Sequence, residues 1–230
     1  MHKKTTTLIR FSMLIASMTT GLSTQAALIS YTDETTWSNT VGVASGTENF
    51  DSFTTDTTFQ NTTISVNNMQ ITCEPGSNGQ ETNKIDTERF YANSVFTSND
   101  TSYLLGDLFG SQTIRVDFDT AVTAWGADFR SISNPDRNTA IHVYDVSDNL
   151  LGTLETKVGG VNSFYGFSFD ANEMAKYLVF ENTGTIADSF GMDNVKFVTK
   201  EANVAEPLSI GLLGLGFAGI GFARRKPLNT

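Results

Sequence analysis

The segment TIRVDFDTAVTAWGADFR, residues 113–130, carries the pattern on which the fold turns. Ile114, Val116 and Phe118 alternate with Thr113, Arg115, Asp117 and Asp119, and Trp125, Ala127 and Phe129 alternate with Asp128 and Arg130. Successive side chains of a β-strand point to opposite faces, so a period of two with β-branched and aromatic residues on one side marks strands buried on one face. The spacing predicts two strands here, both lying over a shared apolar core.

The same period recurs outward from this segment. Ile64 and Val66, Met69 and Ile71, and Ile141 and Val143 alternate with polar neighbours. Further strands are expected at Leu151–Leu154, Phe164–Phe169, Tyr177–Phe180 and Met192–Phe197. Ser147-Asp148-Asn149 has the turn chemistry to join the Val143 and Leu151 strands, and Lys157-Val158-Gly159-Gly160 ends the next one. No long segment has a helical period, and one short turn is expected at Ala171–Ala175. Nine or ten strands at this spacing predict an all-β fold: a two-layer antiparallel β-sandwich, jelly-roll-like. An immunoglobulin-like sandwich is the alternative, weakened because the single Cys73 excludes the usual cysteine pair. Cys73 is expected as a small buried hydrophobe. The polar stretch 73–90 reads as a long loop of the kind on which ligands often sit.

The two ends of the chain differ from this middle. Lys3, Lys4 and Arg10 precede an apolar run, Phe11–Met18, and small residues follow at Thr24 and Ala26. This order of charge, short apolar core and small-residue site is that of a secretory signal peptide over residues 1–26, cut by signal peptidase so that the mature chain begins at Ala27. The run is about half of the ~20 residues that a spanning helix needs. At the other end, Val204-Ala205-Glu206-Pro207 leads into the uncharged segment Leu208–Ala223 and then Arg224-Arg225-Lys226. The apolar segment is expected as a transmembrane helix. Its basic end stays cytoplasmic by the positive-inside rule, which leaves residues 27–203 outside. Both ends therefore predict the same topology.

Glu-Pro, a Gly/Leu-rich apolar run and a basic end, in that order over residues 204–230, resemble the PEP-CTERM sorting tail of Gram-negative bacteria. The family has a proline where Ala205 stands; Val204, Glu206 and Pro207 match. The resemblance implies recognition by an exosortase, a membrane-embedded transpeptidase, after transient membrane anchoring. Release to the cell surface or exopolysaccharide matrix would follow. A plain single-helix anchor is the alternative. The middle also resembles domains that such proteins carry, through Glu48-Asn49-Phe50-Asp51, Tyr144-Asp145 to Thr153, and Gly191-Met192-Asp193-Asn194-Val195-Lys196-Phe197. These patterns imply a domain type and no activity.

Charge narrows the function further. Residues 27–203 keep nine Lys and Arg against twenty-four Asp and Glu, a net charge of about −15. Such a surface repels phosphates and argues against nucleic acid as a partner. It suits divalent cations. First and last strands commonly pair in jelly rolls, which would bring Glu48 and Asp51 near Asp193. Carboxylates at such a seam suit one structural Ca²⁺, which takes six to eight oxygen ligands.

Catalytic signals are sparse. His142 is the single histidine of the exported region and reads as a solvent-face residue, no nucleophile-elbow pattern is present, and Asp117 and Asp119 share the exposed face of one strand. Aromatic candidates for stacking on sugar rings are Trp37, Tyr91, Tyr103, Trp125, Tyr144 and Tyr165. The expectation is a non-enzymatic surface or matrix protein that binds glycans or mediates adhesion. An extracellular polysaccharide-active enzyme and a self-associating structural coat protein are the alternatives.

Overall fold

The structure is a computed structural model that describes residues 27–74, 83–87, 101–133, 137–156, 162–170 and 173–200. The expected signal segment 1–26, the sorting tail 204–230 and the Lys157–Gly160 turn lie outside the described residues. Among the described residues, no helix is long and apolar enough to cross a membrane.

The described chain forms thirteen strands and one helix. In order they are β1 (Leu28–Tyr31), α1 (Glu34–Val41), β2 (Gly46–Glu48), β3 (Thr57–Thr58), β4 (Thr63–Val66), β5 (Met69–Glu74) and β6 (Lys84–Asp86). Then follow β7 (Tyr103–Leu108), β8 (Thr113–Arg130), β9 (Thr139–Tyr144), β10 (Leu150–Thr156), β11 (Asn162–Phe169), β12 (Ala175–Asn182) and β13 (Asp188–Thr199). All pairs between these strands are antiparallel.

The two strands expected in residues 113–130 are one strand, β8, that serves two layers. Its first part pairs with β5 and β12, and its second part, from Val122, pairs with β11 and β13. The first layer therefore runs β4-β5-β8-β12-β9-β10. The second runs β1-β11-β8-β13-β7-β6-β3, with β2 beside the end of β13. Between the two parts, Asn68 holds the corner. Its carbonyl accepts from Asp119 N–H at 2.9 Å, its Oδ1 accepts from Thr120 N–H at 2.9 Å, and its Nδ2 donates to Thr120 O at 3.0 Å.

The layers face each other across an aromatic core. Phe180 of β12 has its ring 5.8 Å from Phe190, 6.2 Å from Phe129 and 6.3 Å from Trp125, all from the second layer. The alternating residues read from the sequence, Ile114, Val116, Phe118, Trp125, Ala127 and Phe129, are all buried there. The architecture is thus an antiparallel β-sandwich, as expected.

Several elements differ from the sequence reading. The strand count exceeds nine or ten because β1, β2, β3, β6 and β7 were not marked by alternation. The polar stretch 73–90 is not all loop: Cys73 and Glu74 end β5, and Lys84–Asp86 form β6. Ala175 begins β12 rather than ending a turn. The first strand does not pair with the last; β1 pairs with β11, and β2 takes the place beside β13. Finally, α1 was not expected. Asp33 caps it in extended conformation with its Oδ1 accepting from Thr36 N–H at 2.7 Å, and Gly42, at φ +79°, ends it with its N–H donating to Ser38 O.

Candidate functional site

The helix lies on the outer face of the second layer, and small residues make room for it. Gly126 and Gly166 face each other in the β8–β11 register, next to Ala124 opposite Ser168. With no side chain at Gly126, the Phe164 ring lies across the sheet; a Cβ there would stand 2.4 Å from Phe164 Cζ. Trp37 of α1 packs on this ring with centroids 5.9 Å apart and donates its indole N–H to Phe167 O at 3.0 Å. Trp37, Ala124 and Phe164 form a second small core outside the main one, flanked by Tyr31, Val41 and Val198.

Where the first turn of α1 leaves the sheet, a cavity of about 370 Å³ opens. Thr32, Asp33, Glu34 and Thr35 line it from the β1–α1 junction, Asp128 and Phe129 from β8, and Asn162, Ser163 and Phe164 from the start of β11. Its volume falls at the lower end of the ~300–1,000 Å³ typical of small-molecule sites. The polar groups around it are fixed. Lys196 is ion-paired with Glu34. Asn194 Nδ2 donates to Asp128 Oδ2 at 3.1 Å. Arg130 Nη1 donates to Asn162 Oδ1 at 3.2 Å, which leaves the Asn162 amide N–H groups as donors toward a ligand. The bonds from the Thr36 hydroxyl and N–H hold the Asp33 carboxyl below its ordinary range. The wall therefore combines carboxylate acceptors, hydroxyls and an amide. That mixture matches a polyol, whose hydroxyls both donate and accept.

Each of the segments Glu48–Asp51, Tyr144–Thr153 and Gly191–Phe197 holds a residue of positive φ: Phe50, Asp148 and Asn194. Asn194 sits at φ +49° in an irregularity of β13 between Asp193 and Lys196, which aims its side chain at Asp128. Phe50, fully buried at φ +57°, is held by its own N–H donating to Glu48 Oε1 at 2.6 Å.

The expected calcium seam forms in part. Val195 pairs with Glu48, so β2 and the Asp193 region are neighbours. Asp51, however, turns its Oδ1 to Thr101 N–H at 2.8 Å and to the Thr101 hydroxyl at 2.9 Å, and its Oδ2 to Asn49 Nδ2 at 2.9 Å. Glu48 is engaged by Phe50, and Asp193, fully buried, accepts from Asn194 N–H at 2.7 Å. Among the described residues, no three His, Cys, Asp or Glu converge as metal ligands. Asp51 is thus tied across to Thr101, Glu48 to Phe50 and Asp193 to Asn194. Of the cleavage-site residues Ala27 alone is described, exposed just ahead of β1; Thr24, Ala26, Val204, Glu206, Pro207, Arg224, Arg225 and Lys226 lie outside the described residues.

Most aromatic candidates are core. Trp37, Tyr103, Trp125 and Tyr165 are buried, and Tyr91 lies outside the described residues. Tyr144 is half-buried on the outer face of the first layer, stacked on Tyr177 at 4.8 Å, while Arg115 covers the Tyr177 ring at 3.7 Å. Arg115 also grips Asp117 through two bonds of 2.8 and 2.7 Å. His142 bridges strands, 3.0 Å from the Thr153 hydroxyl and 3.2 Å from Glu181. Cys73 is fully buried, and that burial, with the Asp107 and Glu74 charges, pushes its thiol up to about 11.

No protein-family model and no curated protein matches the sequence. Among solved structures, the chain is similar to the lectin domain of lectinolysin complexed with Lewis B antigen, at 10% identity and TM-score 0.31, covering 43% of this chain and 72% of that one. It is also similar to a Streptococcus pneumoniae fucose-binding module, at 14% identity and TM-score 0.34, covering 56% and 90%. A third likeness is to a glycoside hydrolase family 43 arabinoxylan arabinofuranohydrolase from Bacillus subtilis in complex with cellotetraose, at 13% identity and TM-score 0.32, covering 46% and 23%. At TM-scores this low, the likeness establishes neither fold nor ligand for this chain.

Proposed function

We propose that this jelly-roll-like sandwich is a non-enzymatic glycan-binding or adhesive module, exported through residues 1–26 and held at the membrane by residues 204–230. An exosortase then sorts it to the surface or exopolysaccharide matrix of a Gram-negative bacterium. The cavity at Asp33, Asp128 and Asn162 carries the binding part of this reading, because its donors and acceptors suit sugar hydroxyls. The acids around it favour a neutral saccharide over a uronic acid. The sorting part is supported by the residues of the two chain ends.

The cavity's carboxylates also allow a polysaccharide-cleaving enzyme. Glycoside hydrolysis needs one carboxyl kept protonated near neutrality. Asp33 moves the other way, and Glu34 is tied to Lys196. Binding is therefore preferred over turnover.

Titration of the exported protein against neutral and acidic oligosaccharides tests the binding reading. Asn162→Ala is expected to weaken neutral-glycan binding about tenfold or more with an unchanged melting temperature. Absence of binding across the panel contradicts the reading, and hydrolysis abolished by Asp128→Asn replaces it with the enzyme. For sorting, intact mass in an exosortase-bearing host should show loss of residues 1–26 and 208–230. A Glu206→Ala plus Pro207→Ala variant should stay in the membrane. A wild-type chain that keeps its tail contradicts the sorting.

A further inference from the structure

The strand registers place both ends of the described domain at one pole of the second layer and the cavity at the other. Leu28 pairs with Phe169, Ser168 with Ala124, and Thr199 with Val122, so β1 begins and β13 ends at the same level of β8. Three strand spacings separate them across β1, β11, β8 and β13, or ~14 Å. The cavity residues Asp128 and Asn162 lie at the far end of the same strands, where Phe164 pairs with Asp128 and Asn162 with Arg130. Six strand residues, from Val122 to Asp128, rise ~20 Å. Helix α1 runs back from the cavity toward the chain ends. Its Val41, like Val198, packs against the Trp37–Phe164 cluster, and the following loop is tied to β13 by Ser45 N–H donating to Phe197 O at 2.9 Å. That loop carries Val43, an apolar side chain 92% exposed, and Ile29 is exposed beside it in level on β1.

We infer that the domain is polarised: the pole of Leu28, Val43 and Thr199 faces the bilayer while the tail is anchored, and the cavity pole points away from it toward extracellular saccharide. This rests on the reading of residues 204–230 as a membrane-held tail and of the cavity as the ligand site. Residues 201–207 span at most ~25 Å even when fully extended, so the tether acts on the Thr199 pole. The cavity is then open to ligand before sorting as well as after it. Val43 and Ile29 lie on the side where apolar exposure meets lipid headgroups rather than open water.

The buried, unreactive Cys73 allows the test by single added cysteines. The exported Glu206→Ala plus Pro207→Ala chain, residues 27–230, is reconstituted in vesicles that carry a headgroup-linked quencher, with a fluorophore on Val43→Cys or on Thr35→Cys. The expected result is loss of emission from the Val43 label and unchanged emission from the Thr35 label at the cavity mouth. Equal quenching of both, or stronger quenching at Thr35, in a chain that floats with the vesicles overturns the polarity and leaves the tail reading standing. A chain that does not float with the vesicles overturns the tail reading, and the polarity with it.

Discussion

The two outer faces of the sandwich are built from strands of the same kind and have opposite fates. On the first layer, Arg115, Asp117, His142, Tyr144 and Glu181 satisfy one another across β8, β9 and β12, with Arg115, Tyr177 and Tyr144 closing into a stack. That face spends its polar groups on itself. On the second layer, Gly126, Gly166 and Ala124 leave the backbone bare, so Phe164 lies flat, Trp37 docks α1 onto it, and polar side chains gather at the helix's open end. Small residues in a strand thus mark where something lands on the sheet, and the binding surface arises beside the landing.

Breaking the landing should have the largest effect. Trp37→Ala removes a buried indole and its bond to Phe167 and should cost about 3–5 kcal/mol in thermal or denaturant unfolding. No comparable single truncation is expected on the other outer face. Gly126→Ala comes next. Its new Cβ must lift the Phe164 ring, with an expected cost of about 1–3 kcal/mol and weakened glycan binding in the same titration.

Acid sharpens the comparison because each face has a depressed carboxylate. Bonds from Thr36 lower Asp33 at the helix cap. Bonds from the Asn149 side chain and backbone, then Ser147, lower Asp145 in the β9–β10 hairpin. A carboxyl whose folded value is depressed contributes stability above its unfolded value of about 4 and loses it as pH falls through the folded value. Melting temperature should therefore hold from neutrality to about pH 4 and fall below it. Asp33→Asn and Asp145→Asn should each flatten that fall, and only Asp33→Asn should also alter ligand binding. The smallest effect belongs to Arg115→Ala on the exposed first face, about 1 kcal/mol or less and reduced further by salt.

What the sequence made legible follows the same division. Strands with one face in the core, such as β4, β5, β9 and the first part of β8, announce themselves by alternation; β11 shows it only in part, because Phe164 and Phe167 are buried on opposite faces. The strand β7 does not, because Tyr103, Leu104, Leu105 and Leu108 are buried on both of its faces; β2, β3 and β6 are too short to show a period. The helix was hidden by its polar, Thr-rich sequence, ETTWSNTV. Asp33 before Glu34, Trp37 four residues from Val41, and Gly42 after it were the available signals. The cavity had no local signature, because Asp33, Asp128 and Asn162 meet only through the registers of β1, β11 and β8. Asp128 read simply as the polar partner in an alternating strand.

The most direct test of the central claim is a map of backbone amide chemical-shift changes when the best-binding neutral oligosaccharide is added to the exported protein. The cavity account predicts changes at Thr32–Thr35, Asp128 and Asn162–Phe164, with Arg115, His142 and Tyr144 unmoved. Changes centred on Arg115, His142 and Tyr144 would contradict it and place recognition on the opposite face.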